Sequence, residues 1–206
     1  MPAVKDIGRE YILAPFPDRT SGYKYRVIGT SPQTSHIEIS DGSNSTNVDL
    51  EAGEFYEGDV SSGAIVRAIS DQPVYIAQYM KVYYSDRRGN PSMVILPAYE
   101  MFGQNVTFSV FEAGWDWGYY ISVTIKCKFL DELTFDEDQS MATWDILRSS
   151  DNEMCVSRGP VTASAHSVGH PSSDAVLYLM VTGHHPAGSY AYSAGYDLSN
   201  GKKQMI

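Results

Sequence analysis

The sequence is short of cysteine, of clustered positive charge and of long apolar runs. Cys127 and Cys155 are its only cysteines in 206 residues, which leaves one bridge or two quiet buried thiols. Lys and Arg number 15 against 25 Asp and Glu, a formal charge of −10. Nowhere do more than two cations adjoin, as at Arg87-Arg88 and Lys202-Lys203. Phosphate neutralisation needs clustered cations, so no nucleic acid partner is expected. The same sign opposes an anionic membrane surface, and apolar runs such as Met93 to Pro97 fall far short of the ~20 residues that span a bilayer. G-x-S-x-G, a Gly-rich phosphate loop and H-E-x-x-H are missing too, which removes α/β-hydrolases, NTPases and metalloproteases of those types. A Ser, His and Asp set assembled from distant positions leaves no trace in spacing. The expectation is a protein that is not an enzyme and needs no cofactor.

What is present is period-two patterning. Tyr23, Tyr25 and Val27 alternate with Lys24 and Arg26, and Ile37 and Ile39 flank Glu38, as in half-buried strands. Further strands are predicted at residues 11–14, 47–50, 64–69, 74–84, 93–96, 106–111, 119–127, 133–135, 154–157, 162–166 and 175–182. Turn chemistry divides them at Pro15-Phe16-Pro17-Asp18, Asp41-Gly42, Glu57-Gly58-Asp59, Asp71-Gln72-Pro73, Arg88-Gly89-Asn90-Pro91 and Ser199-Asn200-Gly201. The reading is an all-β chain of β-sandwich-like antiparallel sheets with little helix, residues 1–206 forming a single module in which no boundary can be drawn. The one helical window, residues 138–148, has Met141, Trp144, Ile146 and Leu147 behind a potential Ser140 cap, and predicts at most a short helix or turn.

Several clusters invite a site. His166 and His170, with His184-His185, could be imagined around zinc, but Gly169 and Pro171 break the strand geometry and loop histidines explain the pattern better, so no metal is expected. Residues 41–49 alternate oxygen side chains as calcium loops do, yet lack the central Gly and terminal Glu; a polar hairpin tip fits them. The acidic stretches Asp131-Glu132 and Asp136-Glu137-Asp138 read as a solvated turn. Gly114-Trp115-Asp116-Trp117-Gly118 is different: two indoles flank a carboxylate between glycines, chemistry suited to stacking on a sugar or anchoring a protein. Trp115, Asp116 and Trp117 are therefore the candidate ligand-binding residues. The alternative is that the indoles plug the end of a sandwich.

Asn44-Ser45-Thr46 and Asn105-Val106-Thr107 are sequons, making Asn44 and Asn105 candidate glycosylation sites and shifting the reading toward a secreted protein. Met1 to Arg9 is polar and has no apolar signal core, so the chain is either intracellular or, in the favoured reading, a mature fragment with an added Met. In that setting a Cys127–Cys155 disulfide is predicted. It would close the acidic region and the Trp144 segment into one loop.

Glu10 to Pro17, Ala52 to Tyr56, Ser70 to Met80 and Pro91 to Pro97, with Tyr120 to Val123 and Ser189 to Gly195 following in order, resemble the N-terminal domain of IgGFc-binding proteins from about Gly8 to Leu198. The resemblance implies a β-rich binding or adhesive unit of secreted, mucus- or matrix-associated proteins, with a protein or glycan partner and some self-association. It implies no ligand residues, and membership does not by itself imply antibody binding. Phe135-Asp136-Glu137-Asp138 stands where the family has a Leu-Asp-Gly turn.

Overall fold

The computed structural model describes residues 7–61, 63–82, 89–114, 116–136 and 139–196. Strand accounts for 56 % and helix for 5 %, the helix being single 3-10 turns at Tyr99–Met101, Cys127–Phe129 and Met141–Thr143. In chain order the strands are β1 (Gly8–Leu13), β2 (Tyr23–Gly29), β3 (Ser35–Ser40), β4 (Ser45–Leu50), β5 (Phe55–Val60), β6 (Val66–Met80), β7 (Ser92–Ile95), β8 (Val106–Ser109), β9 (Gly118–Lys126), β10 (Thr134–Phe135), β11 (Gln139–Ser140), β12 (Asp145–Arg148), β13 (Met154–Pro160), β14 (Ala165–Gly169), β15 (Leu177–His185) and β16 (Gly188–Ala194). They form a seven-stranded sheet (β1 to β7), a five-stranded sheet ordered β12-β13-β9-β15-β16, and a four-stranded sheet ordered β11-β10-β14-β8.

The five-stranded sheet is the middle layer, and its sequence says so. Neighbouring residues of a strand point to opposite faces, so β15 sends Leu177, Leu179 and Val181 one way and Tyr178, Met180 and Thr182 the other. None of the six is more than 2 % exposed. The first set joins Ile121, Val123 and Ile125 in a core shared with Val106, Phe108, Phe135 and Val168 of the four-stranded sheet. Of the second, Tyr178 and Met180 join Val156 and, from the seven-stranded sheet, Tyr11, Val27, Ile76 and Met80. A strand buried on both faces loses the apolar-polar alternation and reads as a run.

Two sequence readings need correction. The turn expected at Asp71-Gln72-Pro73 does not divide two strands; β6 runs through it for 15 residues. Its first half pairs with β1 and β3, its second with β2 and β7. Pro73, which has no N–H to give a ladder, stands where the neighbours change. Glu57-Gly58-Asp59 is not a turn but the middle of β5, with Gly58 opposite Tyr25. A Cβ at 58 would collide with the Tyr25 ring, so the glycine serves close approach rather than reversal. The short helix or turn expected within 138–148 is a single 3-10 turn at Met141–Thr143, with Ser140 Oγ accepting from Ala142 N at 3.3 Å as its cap; the edge strand β12 follows it. The expected turn at 199–201 lies outside the described residues.

Asp41-Gly42 does turn the chain between β3 and β4. Asp41 Oδ1 accepts from the backbone N–H of Ser43 and Asn44, each at 2.8 Å. These bonds hold its carboxyl below the ordinary range. Cys127 follows β9 directly, and Cys155 lies in the neighbouring β13, opposite Ile125. Their Cα atoms are 4.8 Å apart and the disulfide is formed.

Candidate functional site

The end of the middle sheet where β9 begins is unusually aromatic. Strand register sets Gly118 opposite His184, Tyr120 opposite both Pro160 and Thr182, and His185 opposite Gly188. The Trp117 ring stacks near-parallel on His185 (5.9 Å, 17°) and Tyr190 (6.0 Å, 19°), and Tyr190 on Tyr192 (6.1 Å, 19°). Phe111, 67 % exposed, meets Tyr190 edge-on at 6.2 Å. Phe111, Trp117, Tyr190 and Tyr192 thus make a platform of four half-buried to exposed rings, with His185 stacked on Trp117 as a fifth.

Its rings are fixed from below. Tyr190 lies over Gly183 and donates its hydroxyl to Phe111 O at 3.0 Å, while Tyr192 donates to Ser109 O. Burial, followed by the neighbouring Tyr192 and Tyr119, pushes the Tyr190 phenol well above its usual range, so it remains a donor at physiological pH. Tyr119 accepts from Ala113 N at 3.0 Å and donates to Gly114 O at 3.1 Å, tying down the chain before Trp117. Rigid aromatic surface loses little entropy when a partner covers it.

Of the residues singled out from sequence, Trp117 is part of this platform and half-buried; Asp116, at φ 78°, is exposed beside it. Trp115 lies outside the described residues. Sequence reading missed Phe111, Tyr190 and Tyr192, although the alternation of Tyr190 and Tyr192 after Gly188 was a usable signal. Asn44 and Asn105 are both exposed, the latter with its Oδ1 accepting from His170 N at 3.1 Å. The histidines have separate neighbours: His170 packs on Phe129, His184 on Tyr120 and His185 on Trp117.

His166 sits in a different arrangement. Its Nδ1 is 2.8 Å from Asp136 Oδ2 and its Nε2 2.9 Å from Ser164 Oγ, the order of groups in a catalytic triad. Yet Nε2 also lies 3.0 Å from Thr162 O and 3.2 Å from Thr162 Oγ1, so it is shared among three oxygens rather than aimed at one hydroxyl. The ring is buried between Phe108 and Phe135, and Asp136 accepts from Ser167 N at 2.8 Å. This is the geometry of a bracket holding the acidic turn to β14.

Burial raises the Asp136 carboxyl, but the hydrogen bonds from His166 and Ser167 outweigh it and leave it below the ordinary range. A depressed folded value contributes stability above the unfolded pKa, ~4 for Asp, and that contribution is lost as pH falls through the folded value. Denaturation midpoints are expected to fall below about pH 4, and Asp136→Asn to be less stable at pH 7 with a shallower acid decline. An unchanged decline would contradict this role.

Stacked antiparallel sheets with a fixed aromatic platform at one end define an all-β, sandwich-like module. The chain belongs to the IgGFc-binding family: the family described as "IgGFc binding protein" matches residues 1–183. No curated protein and no solved structure matches it. The matched stretch stops before Ser189 to Gly195, so the platform joins Trp117 from within it to Tyr190 and Tyr192 from beyond it.

Proposed function

We propose that this chain is a secreted protein-recognition module whose contact surface is the platform of Phe111, Trp117, Tyr190 and Tyr192. The observation that carries the reading is a continuous aromatic surface in which the half-buried Tyr190 and Tyr192 are fixed by glycine contact and backbone hydrogen bonds beside half-buried Trp117 and exposed Phe111. Aromatic anchors of this kind dominate protein interfaces. The family description, which names the Fc part of IgG, supports a protein partner, and the disulfide supports an oxidising, extracellular setting. The expected partner is a matrix or mucus protein. The test is binding of the immobilised module to IgG Fc fragment, a secreted mucin and fibronectin; micromolar or tighter affinity for at least one is expected, and none for any would overturn the reading.

In this reading the module carries out no catalysis, because Ser164 shares its imidazole with Thr162. A fluorophosphonate serine probe is expected to leave Ser164 unlabelled, and stoichiometric labelling would make it a nucleophile.

A further inference from the structure

Beside the platform, at the same end of the middle sheet, Asp18, Tyr120, Trp144, Asp145, Arg158 and Pro160 line an open trough of about 470 Å³. We propose that this trough is a saccharide site for one neutral pyranose, such as the terminal sugar of a glycan. It does not depend on the platform.

Four observations carry it. First, Trp144 and Tyr120 both contribute to the lining of the trough, and aromatic surface is what the C–H face of a pyranose stacks on. Second, both rings are held in place. The Trp144 indole lies so close to Gly159 that a Cβ there would collide with it. Tyr120 is backed by His184 (5.0 Å, 12°) and donates its hydroxyl to Asp18 Oδ2 at 2.8 Å.

Third, the polar groups suit hydroxyl recognition. Arg158 is paired with Asp145, which sets a guanidinium and a carboxylate side by side. Together they offer donor and acceptor to neighbouring hydroxyls of one sugar. Fourth, the lining holds two carboxylates, Asp18 and Asp145, against one guanidinium. That balance disfavours sialate, uronate, sulfate and phosphate groups and accepts a neutral hexose or N-acetylhexosamine.

The experiment is saturation-transfer NMR and tryptophan fluorescence with the methyl glycosides of galactose, glucose, mannose and N-acetylglucosamine, and with methyl sialoside and methyl glucuronide as anionic probes. At least one neutral glycoside is expected to bind, with a Kd on the order of 1 mM. Trp144→Phe and the exposed-site change Asp145→Ala should each weaken it about tenfold or more while the thermal transition stays cooperative. Trp117→Ala should leave it unchanged, which separates failure here from failure of the platform. No binding by any neutral glycoside, preference for the anionic probes, or indifference to both trough substitutions would overturn the proposal.

Discussion

Replacing Cys127 and Cys155 together by alanine is expected to cost about 3.5 kcal/mol, the loop-entropy value for a closure of this length. The bridge joins residues 28 apart. Within that span lie two 3-10 turns, the Asp136 bracket, the small strands β10 and β11, and edge strand β12. Few of these elements have a large core of their own, so without the bridge the unfolded chain regains freedom that their packing does not offset. In thermal terms the loss corresponds to a Tm lower by roughly 7 to 14 °C for a chain of this size. Differential scanning calorimetry of the double variant checks it; a shift of a degree or two would show that the segment is held by packing alone.

Leu179→Ala is expected to cost about 3 to 5 kcal/mol. Leu179 is fully buried in β15 and packs in the core between the middle and four-stranded sheets. A cavity there is walled by strands hydrogen-bonded on both sides, β9 and β16, which have little freedom to collapse into it. Ile69, 42 % exposed on β6, provides the contrast: Ile69→Ala should cost less than about 1 kcal/mol. Urea midpoints for the two variants give the answer, and near-equal losses would contradict the placing of the five-stranded sheet as the middle layer.

The middle layer was the most legible part of the chain. Ala175 to Thr182 reads as a strand because burial on both faces makes its apolar content nearly continuous, and Tyr119 to Cys127 because Ile121, Val123 and Ile125 alternate with Ser122 and Thr124. Edge strands were less legible. β5 carries Gly58 for ring contact, which resembles turn chemistry, and β12 has two exposed ends and a half-buried centre. β16 is half-buried throughout, and its Tyr190 and Tyr192 alternate with small Ser and Ala residues rather than with charged ones, a weaker signal. The surface features divide similarly. Trp117 stood out locally because glycines flank its segment. Its partners Tyr190 and Tyr192 reach it only through the pairing of β15 with β16, and Tyr120 meets Asp18 across 102 positions. Contacts of that range are set by topology, which local pattern does not carry.

The central claim is that the aromatic end of the middle sheet is the recognition surface. Its most direct test is the affinity of the Trp117→Ala, Tyr190→Ala double variant for whichever of IgG Fc, mucin or fibronectin the native module binds, beside an Asn47→Ala control on exposed β4. Loss of two anchors should weaken binding by about 30-fold or more, with the control unchanged and both proteins retaining a cooperative thermal transition. A folded double variant that binds as tightly as the native module would contradict the account.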